Sequence, residues 1–84
     1  MQPLPIRVFR EQQGLTLIAL AGLVGVGSKG RMSDIERGVA PCPLDVALRI
    51  EELGRERGQP IDAADLNEDV RRSRETAVPI EAAA

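Results

Sequence analysis

The sequence predicts an all-α fold, a compact bundle of four to five short helices. Three observations predict it. Alanine, arginine, leucine and glutamate, all good helix formers, are abundant among the 84 residues. Aromatic residues, the usual companions of strands, are reduced to Phe9. Short apolar stripes at helical spacing are separated by glycines and prolines that stop a helix.

The elements follow in order. Pro3 and Pro5 mark the start of a first helix, Ile6 to Gln13, because proline is tolerated in the first turn. Ile6 and Phe9 turn inward, with Val8 a weaker third candidate, and Gly14 caps the C-terminus. Thr16 is the N-cap of a second helix, Leu17 to Val24, with Leu20, Ala21 and Val24 on its core side. Gly25 and Gly27 end it. Ser28 caps a third helix from about Lys29 to Arg37, whose inner side is Met32, Ile35 and Glu36. Gly38 stops that helix, and Pro41 and Pro43 bracket a connector. A fourth helix, Leu44 to about Arg57, is predicted to bury Leu44, Ala47, Leu48, Ile50 and Leu53. Gly58 caps it and Pro60 forbids continuation. Asp62 opens a short fifth helix with Ala63 and Leu66 inward and Val70 a weaker third. Residues 1–70 form the folded domain, and 71–84 read as a disordered tail.

Composition bounds the chemistry. The length suits one domain, and a chain this small is marginally stable unless something staples it. Cys42 is alone, so no internal disulfide forms, and its bland reading is a passive small residue. With no histidine, neither a Cys/His zinc site nor a histidine base is available. The expectation is no enzyme, no metal and no cofactor. Dimerisation is the staple left open. The uncharged run from Leu15 to Ser28 is about 14 residues, short of the roughly 18–20 that span a bilayer. The expectation is a cytoplasmic, nucleoid-associated chain. The net charge of −2 hides an asymmetry. Residues 1–38 carry five basic and three acidic side chains, and residues 39–84 carry six and ten. That split suggests a basic working face and an acidic remainder.

Two short helices joined by a glycine-containing turn, the second opened by a hydroxyl cap, make a helix-turn-helix pattern. Such a pair presents the first turn of its second helix to base edges, and helix N-termini attract phosphate. The residues that carry the pattern are Arg10, Gly14-Leu15-Thr16, Leu20-Ala21, Gly25-Val26, Met32-Ser33-Asp34-Ile35-Glu36-Arg37-Gly38 and Pro43. Over residues 6–57 the sequence resembles the lambda-repressor/Cro-type (XRE-like) helix-turn-helix regulators of bacteria and phages. Residues 48–70 bear a weaker likeness to small phage-derived Cro-like or YdaS-type regulators.

The resemblance implies roles. Lys29 and Asp34 match base-contact positions, flanked by Arg31 and Ser33, and Gly30 matches a contact position without a side chain. Lysine donates to guanine, and a carboxylate accepts from cytosine N4 or orients Arg31 or Lys29. Arg37 matches a backbone-contact position, Thr16 and Ser28 are backbone-contact candidates as caps of the phosphate-attracting helix starts, and Arg10 has a second N–H free for phosphate. Arg10 and Glu36 match an ion pair between the first and third helices. The sequence departs from the family in an extra turn residue, Gly27, and in Leu17 and Ile18 where polar residues are usual. With Leu23 these add apolar surface, a candidate protein-partner site.

Other motifs have bland readings. Gly25-x-Gly27-x-x-Gly30 lacks the strand that a nucleotide loop requires. Glu51 and Glu52 read as a solvated face. Arg71, Arg72 and Arg74 read as a soluble helix end, with a phosphate-contacting arm the sharper alternative. The sequence therefore predicts a small transcriptional regulator, binding a double-stranded DNA operator as a homodimer and repressing by occupancy. Its alternatives are a DNA-binding antitoxin whose acidic half meets a toxin, and a protein-interaction module without DNA binding.

Overall fold

Side-chain caps set where some of the helices begin, and four left-handed glycines set where most of them stop. The structure is a computed structural model that describes residues 5–83, with side chains over 5–76. Its elements are α1 (Ile6–Gln12), α2 (Leu17–Val24), α3 (Lys29–Glu36), α4 (Leu44–Glu56), a single 3-10 turn (Ala63–Asp65) and α5 (Glu68–Ala83). No strand occurs among the described residues. Among the described residues no helix is long and apolar enough to cross a membrane. Thr16 and Ser28 accept from Ala19 N–H and Arg31 N–H at 3.1 and 3.2 Å, each satisfying one orphan donor of its helix. Gly25 closes α2 at φ +79, a conformation that costs a side chain about 1 kcal/mol or more.

One apolar cluster joins the helices. Ile6 and Phe9 come from α1, Leu20, Ala21 and Val24 from α2, and Met32 and Ile35 from α3. Val46, Ala47 and Ile50 come from α4, and Ala63, Leu66 and Val70 close the far side. Each large side chain buried here contributes about 1.5–3 kcal/mol.

Two expectations about faces are corrected. Val8 is exposed on α1. On α4, Leu44 and Leu48 are exposed and Leu53 only partly buried, whereas Val46 and Gly54 are buried. Apolar residues ring most of α4, so spacing alone does not choose the inner row. The packing against α2 and the 3-10 turn chooses it. Gly54 is needed there, because a Cβ would stand 2.7 Å from the Gln59 carbonyl oxygen and 2.9 Å from Ile61 Cγ2.

The fifth helix also differs from the sequence pattern. Asp62 caps only the 3-10 turn, accepting from Ala64 N–H at 2.9 Å. Asn67 then starts α5, its Oδ1 accepting from Asp69 and Val70 N–H at 2.8 and 3.2 Å. Its Nδ2 donates to the Cys42 carbonyl at 2.7 Å, tying α5 to the α3–α4 connector. Over residues 71–76, where the sequence predicts the start of a disordered tail, the chain is helical, and α5 runs to Ala83. Arg72 pairs with Glu68 and Asp69 one turn back. The expected helix-starting role of Pro3 lies outside the described residues, as does Ala84.

Arg74 fastens α5 to α4, a role that its reading as a soluble helix end does not include. Its Nη1 donates to Glu51 Oε2 at 2.7 Å and Asp62 Oδ1 at 2.6 Å, and its Nη2 donates to Glu51 Oε1 at 2.8 Å. Glu51 also accepts from Ala63 N–H at 2.9 Å, so it too is no simple solvated face. The Arg74 hydrogen bond, helped by that N–H, pulls the Glu51 carboxyl down to about 2. The same bond raises Arg74.

Two outcomes follow from this packing. Gly54→Ala gains helix propensity but forces the close contacts apart, so it lowers stability by about 1–3 kcal/mol. Gly22→Ala on α2, where a Cβ meets nothing within 4 Å, raises stability by about 0.5–1 kcal/mol. Thermal unfolding of the two variants reads the opposite signs. A carboxyl lowered on folding stabilises the native state above its ordinary value of 4.5 and loses that contribution as pH falls toward 2. The stability gap between the parent and Glu51→Gln therefore narrows from pH 5 to about pH 2, as denaturant titrations at each pH measure.

Candidate functional site

The arrangement begins with α2 and α3, which pack on each other across the turn Gly25 to Ser28. The turn is held from within by Val26 N–H donating to the Ala21 carbonyl at 2.8 Å. Val26 is buried, and Gly27 is exposed with nothing within 4 Å of a Cβ. Arg49 of α4 lies over the turn from outside. A Cβ on Gly25 would stand 3.3 Å from Arg49 Nη1. A cation at the C-terminal end of α2 also complements that helix's dipole. Sequence reasoning missed Arg49, and no local signal could have found it, because the contact spans two helices.

Met32, Ile35 and Glu36 are the buried row of α3. At about 100° per residue, Gly30, Asp34 and Arg37 form the row opposite, with Lys29 and Ser33 to one side of it and Arg31 to the other. Lys29, Gly30, Arg31 and Arg37 are exposed, and Ser33 and Asp34 are half-buried. Among the described residues Lys29 and Arg31 hold no ion pair. Asp34 does: its Oδ1 accepts from Arg37 Nη2 at 2.6 Å. Of the partners the sequence offers Asp34, Lys29 and Arg31, the structure uses neither. The i, i+3 spacing of Asp34 and Arg37 was the signal available for this pair.

Behind α3 lies the ion pair of Arg10 and Glu36. Arg10 Nε and Nη2 donate to Glu36 Oε2 and Oε1 at 2.6 and 3.3 Å. Its Nη1 donates to the Leu15 carbonyl at 3.0 Å. Glu36 is 4% exposed and Arg10 16%. One guanidinium thus joins α1, the α1–α2 connector and α3. Three of its five N–H groups are engaged inward, so Arg10 stands mainly behind α3.

Thr16 and Ser28 are exposed at the starts of α2 and α3. Of the three apolar residues at α2, Leu17 packs against the core, while Ile18 and Leu23 are 67% and 47% exposed. Ile18 borders a shallow groove with Val26, Gly27 and Lys29. Cys42 is buried, and that burial, aided by the Asp45 charge, pushes its thiol up to about 11. Such a thiol stays protonated and unreactive near neutral pH. No group of three potential metal-ligating side chains occurs among the described residues.

Comparisons with protein-family models, with curated proteins and with solved structures return no match.

Removing one partner of a buried pair strands the other charge, whereas removing both does not. Glu36→Ala alone costs about 3 kcal/mol, and the double variant Arg10→Met/Glu36→Met costs clearly less. Chemical denaturation of the two variants beside the parent measures the difference.

Proposed function

We propose that the chain binds double-stranded DNA in a sequence-specific way through a helix-turn-helix formed by α2 and α3. It acts as a small bacterial or phage regulator that represses by occupying its operator. The observation that carries this reading is the polar outer row of α3 beside two hydroxyl-capped helix starts. Lys29 and Arg31 are charged donors with no ion pair among the described residues, and they flank a row in which Gly30 lets a backbone approach closely. Thr16 and Ser28 open α2 and α3, where free N–H groups and the helix dipole favour phosphate. The acidic residues concentrate in α4 and α5, away from this face in sequence. The resemblance to lambda-repressor/Cro-type regulators points the same way.

One recognition helix reads few base pairs, so the reading includes a homodimer with two such helices about 34 Å apart. It also places the protein in the cytoplasm with the DNA. Exposed Ile18 and Leu23 favour a second reading, in which α2 docks a protein partner as an interaction module without DNA binding would.

A salt titration on a random duplex separates the two. A DNA binder loses affinity with a slope of about 0.9 per neutralised phosphate on logarithmic axes. A pure interaction module binds no duplex even at low salt. Within the DNA reading, Lys29→Ala and Arg31→Ala each weaken operator binding by about 1–3 kcal/mol without unfolding the domain. Parent-like binding by both variants removes α3 as the reader.

A further inference from the structure

We propose that Arg37, the residue that ends α3, is held in place by Asp34 as a guanine-reading side chain. This reading rests on the DNA-binding function proposed above and reverses the roles that the sequence resemblance implies. Arg37 then leaves the phosphate contacts, and Asp34 becomes a positioning residue.

Three observations carry it. Arg37 continues the helical path of α3, at φ −81, so its side chain shares a row with Gly30 and Asp34. That row lies opposite buried Met32, Ile35 and Glu36, on the side a groove would meet. Long helical side chains also reach back over the preceding turn. The 2.6 Å bond from Nη2 to Asp34 Oδ1 fixes the Arg37 guanidinium over that turn, nearer the start of α3 than its own backbone. Finally, Gly30 leaves the row open toward the N-terminus, with nothing within 4 Å of where a Cβ would stand.

The chemistry follows from the fork. A guanidinium carries five N–H donors in a plane, and the Asp34 bond uses one of them. The remaining donors include a pair that matches guanine O6 and N7 in the major groove. A free arginine loses rotamer freedom when it engages a base. An arginine already tethered at its far edge has lost part of it beforehand. Asp34 has a second task, since a bare carboxylate on the groove side would repel phosphate, and pairing with Arg37 neutralises it. The result is preference for guanine at one position of each half-site.

The test selects bound sites from a random duplex pool with the full chain as parent, Arg37→Ala, Arg37→Lys and Asp34→Asn. The selected duplex and its single-position variants are then titrated. Arg37 is exposed and Asp34 half-buried, and circular dichroism of each variant verifies the fold. In the expected result the parent's half-site holds a guanine whose preference disappears in Arg37→Ala. Affinity for the selected duplex falls about tenfold or more, with other positions unchanged. Arg37→Lys keeps the charge without the fork and does not restore that preference. Asp34→Asn weakens the preference several-fold at the same position. The inference is overturned if Arg37→Ala weakens all duplexes equally and lowers the salt slope by about one, the mark of a phosphate contact. It is also overturned if Asp34→Asn alters a different position, since Asp34 would then read a base itself. A parent that selects sites with no position dependent on Arg37 overturns this inference alone. A parent that selects no duplex overturns the DNA-binding function and this inference with it.

Discussion

The ion pair between Arg10 and Glu36 is the interaction on which the rest of the arrangement depends. A carboxylate that is 4% exposed survives only with a matched partner, and Arg10 supplies two donors to it. The third contact, to the Leu15 carbonyl, extends the constraint to the chain between α1 and α2. The orientation of α3 is therefore fixed from behind by charge, in addition to the apolar packing of Met32 and Ile35. An apolar contact of the same size would have tolerated small rotations of α3. A forked hydrogen bond tolerates far less, because two donors must meet two oxygens at once. Under the proposed function, that intolerance would keep the outer row of α3 in one orientation.

Much of this was legible in sequence because it is local. Caps act over three residues, so Thr16 and Ser28 announced α2 and α3, and the glycines after each helix marked where it stops. The inner row of α3 was legible because only Met32, Ile35 and Glu36 leave a single consistent side. The inner row of α4 was not. Leu44, Val46, Ala47, Leu48, Ile50 and Leu53 surround that helix, and the sequence pattern set Leu44 and Leu48 inward. Tertiary contact with α2 and the 3-10 turn selected Val46 and Gly54 instead. Gly54 is explained only by the Gln59 carbonyl that approaches it.

The long-range pair of Arg10 and Glu36 was legible only through the family resemblance, and the contacts of Arg74 were not legible at all. Arg74 meets Glu51 and Asp62, partners 23 and 12 residues away, and no spacing rule links them. This fastening binds α5 to α4 and the 3-10 turn, on elements separate from α2 and α3. Asp34 and Arg37 lie at the other extreme. Their spacing made the pair readable, but the competing claims of Lys29 and Arg31 on the same carboxylate concealed it. The outer row of α3 thus depends on which of three cations Asp34 holds, and the structure gives it Arg37. The division of charge completes the picture, with a basic first half that carries α3 and an acidic second half that carries α4 and α5.

The central claim is that α3 and the two hydroxyl-capped helix starts form a surface for duplex DNA. The most direct measurement is a backbone amide chemical-shift titration of the labelled chain with a pool of short duplexes at low salt. The account predicts that the largest shifts fall on residues 16–19 and 28–37, saturate together and vanish at high salt. Shifts concentrated on α4 and α5, or no shifts at low salt, would contradict it.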